Sequence, residues 1–196
     1  DHEERGYHDV TGYPLRRDEL DPAVFDALLD GAAARYPLMH RLHAVRAAAL
    51  GLDDYATWDF SAPAFGDEPT MDWDESAEVV TAAFSAFDPD VGRWAADYLR
   101  SGRVDVLPRP GKTSGGFCSP GLPPDEPFLL LNHTGRLDDV FTLAHELGHA
   151  LHFHDAGRCR PLNYWPGTAL AETASNFGEL LLHEELLRRW TDAPRR

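Results

Sequence analysis

The sequence predicts a mainly α fold with one small β-sheet or hairpin, on three observations. Apolar residues recur at helical spacing over most of the 196 residues. The stretch from Arg103 to Pro127 is too dense in proline and glycine to be a long helix. The run PFLLLNHT has strand length, is bounded by turn formers, and directly precedes a histidine-rich helical segment.

The elements follow in chain order. A polar opening from Asp1 to Asp21 gives way to an apolar helical period, with Asp21 as N-cap and Pro22 at the first helical position. Pro37 divides that region into two helices, the second ending near Gly51. A loop rich in Pro, Gly and Asp covers Ser61 to Asp72. DESAEVVTAAFSAF and the segment after Pro89 read as two helices, the second closed by Gly102. RVDVL and GGFCS are short extended pieces, and GGFCS is the expected partner of PFLLLNHT. Leu137 to His154 reads as a helix capped by Asp138, and a last helix runs from about Thr168 to Arg189.

Composition excludes several function classes. With 43% hydrophobic residues the chain can bury a core. A formal charge of -15 repels nucleic acid and anionic membrane, so neither is an expected partner. No run reaches the roughly 20 apolar residues that span a bilayer. Cys118 and Cys159 form no CxxC pattern, which points to a reducing compartment and away from a cysteine zinc site. The opening DHEERGY, without methionine, reads as part of a longer polypeptide.

The chemistry concentrates in TLAHELGHALHFHD. On a helix, His145 and His149 project from one face, so their imidazoles can converge on one ion. Two neutral imidazoles suit zinc, and the adjacent Glu146 can take a proton from a water that the metal acidifies. From this chain's own His and Glu frequencies, a chance HExxH is expected only roughly 0.03 times, which favours the functional reading.

A catalytic zinc needs a third protein ligand, and two candidates compete. Asp155 lies six residues past His149, where some zinc peptidases place that ligand, but the glycine of those motifs is replaced by His152. Glu172, in ALAETASNFGELL, is preferred. Its neighbours Ala171, Thr173, Ala174 and Ser175 are small enough for close helix packing, and Ala169, Leu170, Phe177, Leu180 and Leu181 give its helix an apolar period.

TLAHELGHALH, LAETASNFGE and GRVDVLPRPGKTSGGFCSP, supported by HRLHAVRAAALGLDDYATWDFSAP and FLLLNHTG, together resemble the oligoendopeptidase F and thimet oligopeptidase family of zinc peptidases. The resemblance runs from about Arg5 to Trp190 and implies a zincin-like helical metallopeptidase catalytic region of the gluzincin type. It maps His145, His149 and Glu172 onto the ligands of one Zn2+ per chain and Glu146 onto the general base. It implies a cytoplasmic endopeptidase for short peptides, with a deep channel that excludes folded proteins. Residues 1–196 are then expected to be a partial catalytic domain. The N-terminal channel wall, and a C-terminal segment whose histidine and tyrosine steady the oxyanion, would lie outside it. A second class is a noncatalytic zinc-binding or structural fragment, against which the presence of Glu146 argues.

Other residues have competing readings. Asp139, Asn176 and Glu179 could hydrogen-bond the free nitrogen of a ligand histidine. For Asp139 helix N-terminal charge is an equal competitor, and for Glu179 a solvated face is favoured. His152 could contact substrate or support the metal, with a partly exposed helix histidine the commoner outcome, and His154 reads as surface. GKTSGGFCS is no phosphate loop, because position 106 is Val106 and no helix follows the lysine. Instead Gly115, Gly116 and Phe117 are candidates for an extended edge, at GGFCS or FLLLNH, that pairs with peptide substrate, with tight turns that meet no ligand an equal competitor.

Overall fold

The computed structural model describes residues 4–7, 9–64, 69–123 and 125–190, and the chain divides into two compact units, Asp1–Asp67 and Glu68–Arg196. The first unit holds α1 (Gly12–Arg17), α2 (Pro22–Ala33), α3 (Tyr36–Leu50) and a 3-10 turn at Thr57–Asp59. Asp21 caps α2 through the Ala23 amide at 2.8 Å, with Pro22 following it. The break between α2 and α3 falls just before Pro37, which sits in the first turn of α3, where an amide hydrogen has no helical partner to lose. Gly51 closes α3 at φ 68°, a left-handed conformation that glycine adopts without strain. Arg46 ties α3 to the following loop, donating to the carbonyls of Phe60 and Ala62 at 2.8 Å each. Neither α2 nor α3 buries a whole side chain, and Val24, Leu28, Leu38 and Val45 remain exposed.

The second unit is built around the histidine helix. α4 (Trp73–Phe87) begins with a reciprocal capping box: Asp72 accepts from the Glu75 amide at 2.9 Å, and Glu75 accepts from the Asp72 amide at 3.0 Å. Asp88 ends α4 and caps α5 (Pro89–Arg100), so Pro89 starts a helix instead of breaking one. Three strands follow: β1 (Val104–Asp105), β2 (Phe117–Ser119) and β3 (Phe128–Leu130), in the order β1-β3-β2. β2 pairs with β3, as GGFCS and PFLLLNHT are expected to, and the pairing is antiparallel, whereas β1 adds a parallel edge on the other side. FLLLNH is therefore the central strand, paired on both sides and closed to an incoming peptide. GGFCS remains as an edge.

α6 (Leu137–Ala156) and α7 (Thr168–Arg189) complete the unit. Asp138 is not the cap of α6. The helix starts at Leu137, which puts Asp139 third, and a side chain in that position can reach back over the helix end. The Asp139 carboxylate accepts from the Thr134 amide at 2.7 Å and the Arg136 amide at 3.1 Å.

Val79, Val80 and Phe84 of α4, Leu129 and Leu131, Leu143 and Leu147 of α6, and Leu182 of α7 share one buried core. α6 and α7 approach more closely than side chains would allow. A Cβ on Gly148 would lie 2.5 Å from the Ala174 carbonyl oxygen, and one on Gly178 would collide with the Ala144 carbonyl. Both obstacles are backbone, so they cannot swing aside.

Gly148→Ala is expected to lower the unfolding free energy by about 1–3 kcal/mol through overpacking. Gly31→Ala, in the last turn of α2 at a helical position with nothing within 4 Å of the added methyl, should raise it by about 0.5–1 kcal/mol. Urea denaturation of the two variants beside the parent chain measures both signs.

Candidate metal centre

His145 and His149 stand one helical turn apart on α6, their rings edge to face with centroids 4.9 Å apart. The His145 ring is oriented by its other nitrogen: Nδ1 donates to Glu179 Oε1 at 2.5 Å. The His149 imidazole lies beside the Ala171 backbone, which opposes the lowering of its pKa by burial. Both Nε2 atoms then face one carboxylate oxygen on α7: Glu172 Oε2 lies 3.4 Å from His145 Nε2 and 3.6 Å from His149 Nε2. Ser175, fully buried, donates its hydroxyl to that same oxygen at 2.8 Å.

The donor set fits a zinc ion. Ligand atoms about 2.1 Å from a tetrahedral centre lie about 3.4 Å apart, close to the two imidazole–carboxylate separations. All three donor atoms lie within 4.8 Å of one another, and among the described residues no other such group occurs. Burial pushes the His149 pKa down, against the pull of Glu172, which favours the neutral imidazole that a metal requires. Two imidazoles and a carboxylate would leave a fourth position open.

Glu146 borders the same space but points into the protein. It is 6% exposed, its carboxylate lies near the Cys118 backbone N–H on β2, which favours its charged form, and its Oε2 is buried with no hydrogen-bond partner. Burial pushes its pKa up to about 7; the neighbouring His145 opposes this and Glu172 adds to it. A carboxyl poised there can both take and return a proton near neutral pH.

These groups line a cavity of about 420 Å³ whose other walls are Gly116 to Cys118, Pro120, Phe153, Trp165 and Pro166. A Cβ on Gly116 would lie 2.6 Å from Thr142 Cγ2 and 3.3 Å from Glu146 Oε1, so glycine there lets β2 lie against α6. Gly115 adopts φ 82° just before it, and its carbonyl accepts from the Asn132 side chain at 2.8 Å.

The remaining candidates fall elsewhere. Glu179 is no solvated-face residue, since it holds His145. Asp139 is spent on the start of α6. His152 is half-buried with its ring beside Phe153, and Asn176 is exposed; neither lines this cavity. Asp155 lies at the far end of α6, exposed and 3.1 Å from Arg158. His154 is not a free surface residue, because its Nδ1 meets Glu126 at 2.6 Å.

Sequence reasoning missed the Cys118 amide and the glycines that let the helices touch. The first leaves no trace in residue types. The second does: Ala144 and Gly148 on α6, and Ala174 and Gly178 on α7, recur four residues apart, and each glycine meets the other helix beside its alanine.

The geometry defines a class: two close helices presenting HExxH and a facing glutamate over a small mixed sheet. The sequence profile of peptidase family M3 matches residues 3–193, and the chain belongs to that family. It is 29% identical to the chromosomal oligoendopeptidase F of Lactococcus lactis subsp. cremoris, an alignment covering 98% of this chain and 32% of that protein. Identity to the group B oligopeptidase PepB of Streptococcus agalactiae is 30%, over 95% of this chain and 31% of that protein. The chain thus spans about a third of the length of these relatives. The solved structure of PZ peptidase A with an inhibitor shares the fold at a TM-score of 0.80 and 20% identity, covering 94% of this chain and 34% of that one. Among the described residues no helix is long and apolar enough to cross a membrane.

The two thiols should differ in reactivity. Burial, then the Glu146 charge, pushes Cys118 up to about 12, so its thiolate fraction at pH 8 is about 10⁻⁴. Cys159 is exposed. Iodoacetamide at pH 8 followed by peptide mass mapping is expected to label Cys159 in the native chain, and Cys118 only after denaturation.

Proposed function

We propose that this chain carries the zinc site of a cytoplasmic endopeptidase acting on short peptides. The observation that supports the reading most is the convergence of His145 Nε2, His149 Nε2 and Glu172 Oε2, beside a buried Glu146 with an unpartnered oxygen. His145, His149 and Glu172 would hold one Zn2+, which when bound supplies a Lewis acid that polarises the scissile carbonyl and acidifies water. Glu179 keeps the His145 imidazole aimed. Glu146 accepts the proton of the attacking water and delivers it to the leaving amine. Desolvation of its carboxyl supports that exchange, because a fully solvated glutamate, with a pKa near 4.3, returns a proton poorly at pH 7.

The exposed edge of β2 offers a place for substrate backbone. An extended peptide can pair there as an added strand, with Gly115 and Gly116 keeping the approach free of side chains. Cys118, on this edge, lies close to Glu146, so a peptide bound along it passes beside the proposed base.

Metal content separates the candidate ligands. Elemental mass spectrometry after dialysis should find one zinc per parent chain and per Asp155→Ala chain, and none in Glu172→Ala. Glu179→Ala should retain the site with zinc affinity about 10–100-fold weaker. Glu146→Gln should keep its zinc and lose peptide hydrolysis by about 10²–10⁴-fold. Hydrolysis at the parent rate in Glu146→Gln would remove the proposed base, and zinc retained in Glu172→Ala would remove the proposed third ligand.

A further inference from the structure

Ser175 stands on the face of α7 that meets α6 and is fully buried. A Cβ on Gly148 would come within 2.9 Å of its Cα, so its backbone lies directly against α6. A serine inside a helix commonly satisfies its hydroxyl on a carbonyl three or four residues earlier. Thr173 does this, donating to the Ala169 carbonyl at 2.9 Å. Ser175 has the same kind of acceptor, the Glu172 carbonyl at 3.0 Å, but the Glu172 carboxylate oxygen Oε2 is nearer, at 2.8 Å. A hydroxyl carries one proton, and the closer, charged acceptor takes it. That acceptor is the atom both imidazoles face, 3.4 Å from His145 Nε2 and 3.6 Å from His149 Nε2.

We infer that Ser175 is a positioning residue for the metal cluster: its buried hydroxyl holds Glu172 Oε2 toward His145 and His149 before an ion binds. The inference rests on the proposed zinc reading and adds to it a residue outside the ligand set. Two features of Glu172 make such a tether necessary. Its side chain is 46% exposed, so the carboxylate has room to turn into solvent and rotamer freedom to lose on binding a metal. It also faces a repulsive partner. With Nδ1 donating to Glu179, the neutral His145 ring turns a lone pair, not a hydrogen, toward Oε2. Before an ion bridges them, those lone pairs push the carboxylate away, and the Ser175 hydroxyl is a donor that opposes the push. The hydrogen bond also draws charge from the oxygen, which acts against a cation, but orientation outweighs it for a half-exposed side chain held at a lone-pair contact. The competing account is that Ser175 is there only because the helices need a small residue. Alanine meets that need at Ala144 and Ala174 of the same contact, and a buried hydroxyl is unfavourable unless it is bonded.

The test separates zinc affinity from fold stability, and turnover does not enter. Zinc affinity is measured by competition with a chromophoric chelator, and unfolding of the metal-free chain by circular dichroism on heating. Ser175→Ala keeps the residue small and removes only the hydroxyl. It is expected to bind zinc about 10–100-fold more weakly than the parent. Its metal-free form should unfold within about 3 °C of the parent. Ser175→Gly, which leaves no methyl behind, should lose zinc affinity to the same extent. Thr173→Ala removes a hydroxyl from the same turn of α7 that is bonded to backbone alone, and should leave zinc affinity within about twofold. Parent-like zinc affinity in both Ser175 variants would overturn the inference. So would a loss of affinity matched by a large drop in the metal-free unfolding temperature of Ser175→Ala, which would make the serine a packing residue. Glu172→Ala, titrated alongside, tells the two failures apart. Zinc that depends on Glu172 and is indifferent to Ser175 removes the inference alone, whereas no zinc in the parent chain removes the metal reading and the inference with it.

Discussion

The site depends on the distance between α6 and α7. Gly148 lies against the Ala174 carbonyl and Gly178 against the Ala144 carbonyl, so the helices meet backbone to backbone at two points on opposite sides of the His145 turn. Interaxial distance is set by the side chains at the contact, and with none there the helices sit at the short end of the range. That is what brings Glu172 within 3.6 Å of both imidazoles and Glu179 within hydrogen-bonding reach of His145. Carboxylate side chains are short. Separating the axes by the width of a methyl group would break the Glu172 geometry before it altered the fold. α4 supports the same contact from behind, with the Phe84 ring against the outside of the Gly178 turn.

A second constraint joins the sheet to the helix. Glu146 is almost wholly buried in a chain of strongly negative charge, beside another carboxylate, and its compensation is one backbone amide from β2 and the nearby His145. Burying a carboxyl this way is unfavourable unless it is hydrogen-bonded or protonated. The three-stranded sheet is small, but it supplies that donor and it holds Gly116 where α6 can pass. Electrostatics and packing therefore impose the same register on β2.

The sequence made the helices legible because their signals are local. Asp21 with Pro22, Asp88 with Pro89, and Gly51 act within one turn of the residues they organise. The HELGH spacing is equally local, and the final helix is bounded as its apolar period indicates. Glu172 was reachable because small residues around a carboxylate imply close packing. Glu179 was not: nothing in its neighbourhood distinguishes a glutamate in solvent from one that meets a histidine thirty-four positions earlier in the chain. Asp138 and Asp139 illustrate a different limit, since a one-residue shift in where the helix starts decides which of two adjacent aspartates closes it. The parallel pairing of β1 depends on a crossover that neither strand's residues record.

The chain contains a single lysine, Lys112, and the fold uses it internally, on one carboxylate and two backbone carbonyls. Its side chain is 1% exposed, and its ammonium donates to the Asp105 carbonyl and carboxylate at 3.0 Å each and to the Leu107 carbonyl at 2.8 Å. Arg109 grips the other side of the same carboxylate and, with Lys112, holds the Asp105 carboxyl below the usual range. Lifting this loop means giving up several hydrogen bonds to charged groups at once and moving the buried Lys112 ammonium. The segment between β1 and β2, glycine-rich as it is, is built to hold its place: Lys112 pins it to Asp105 and Leu107, and Asn132 holds the Thr113 and Gly115 carbonyls. Motion that admits or releases a ligand must then come from elsewhere around the cavity.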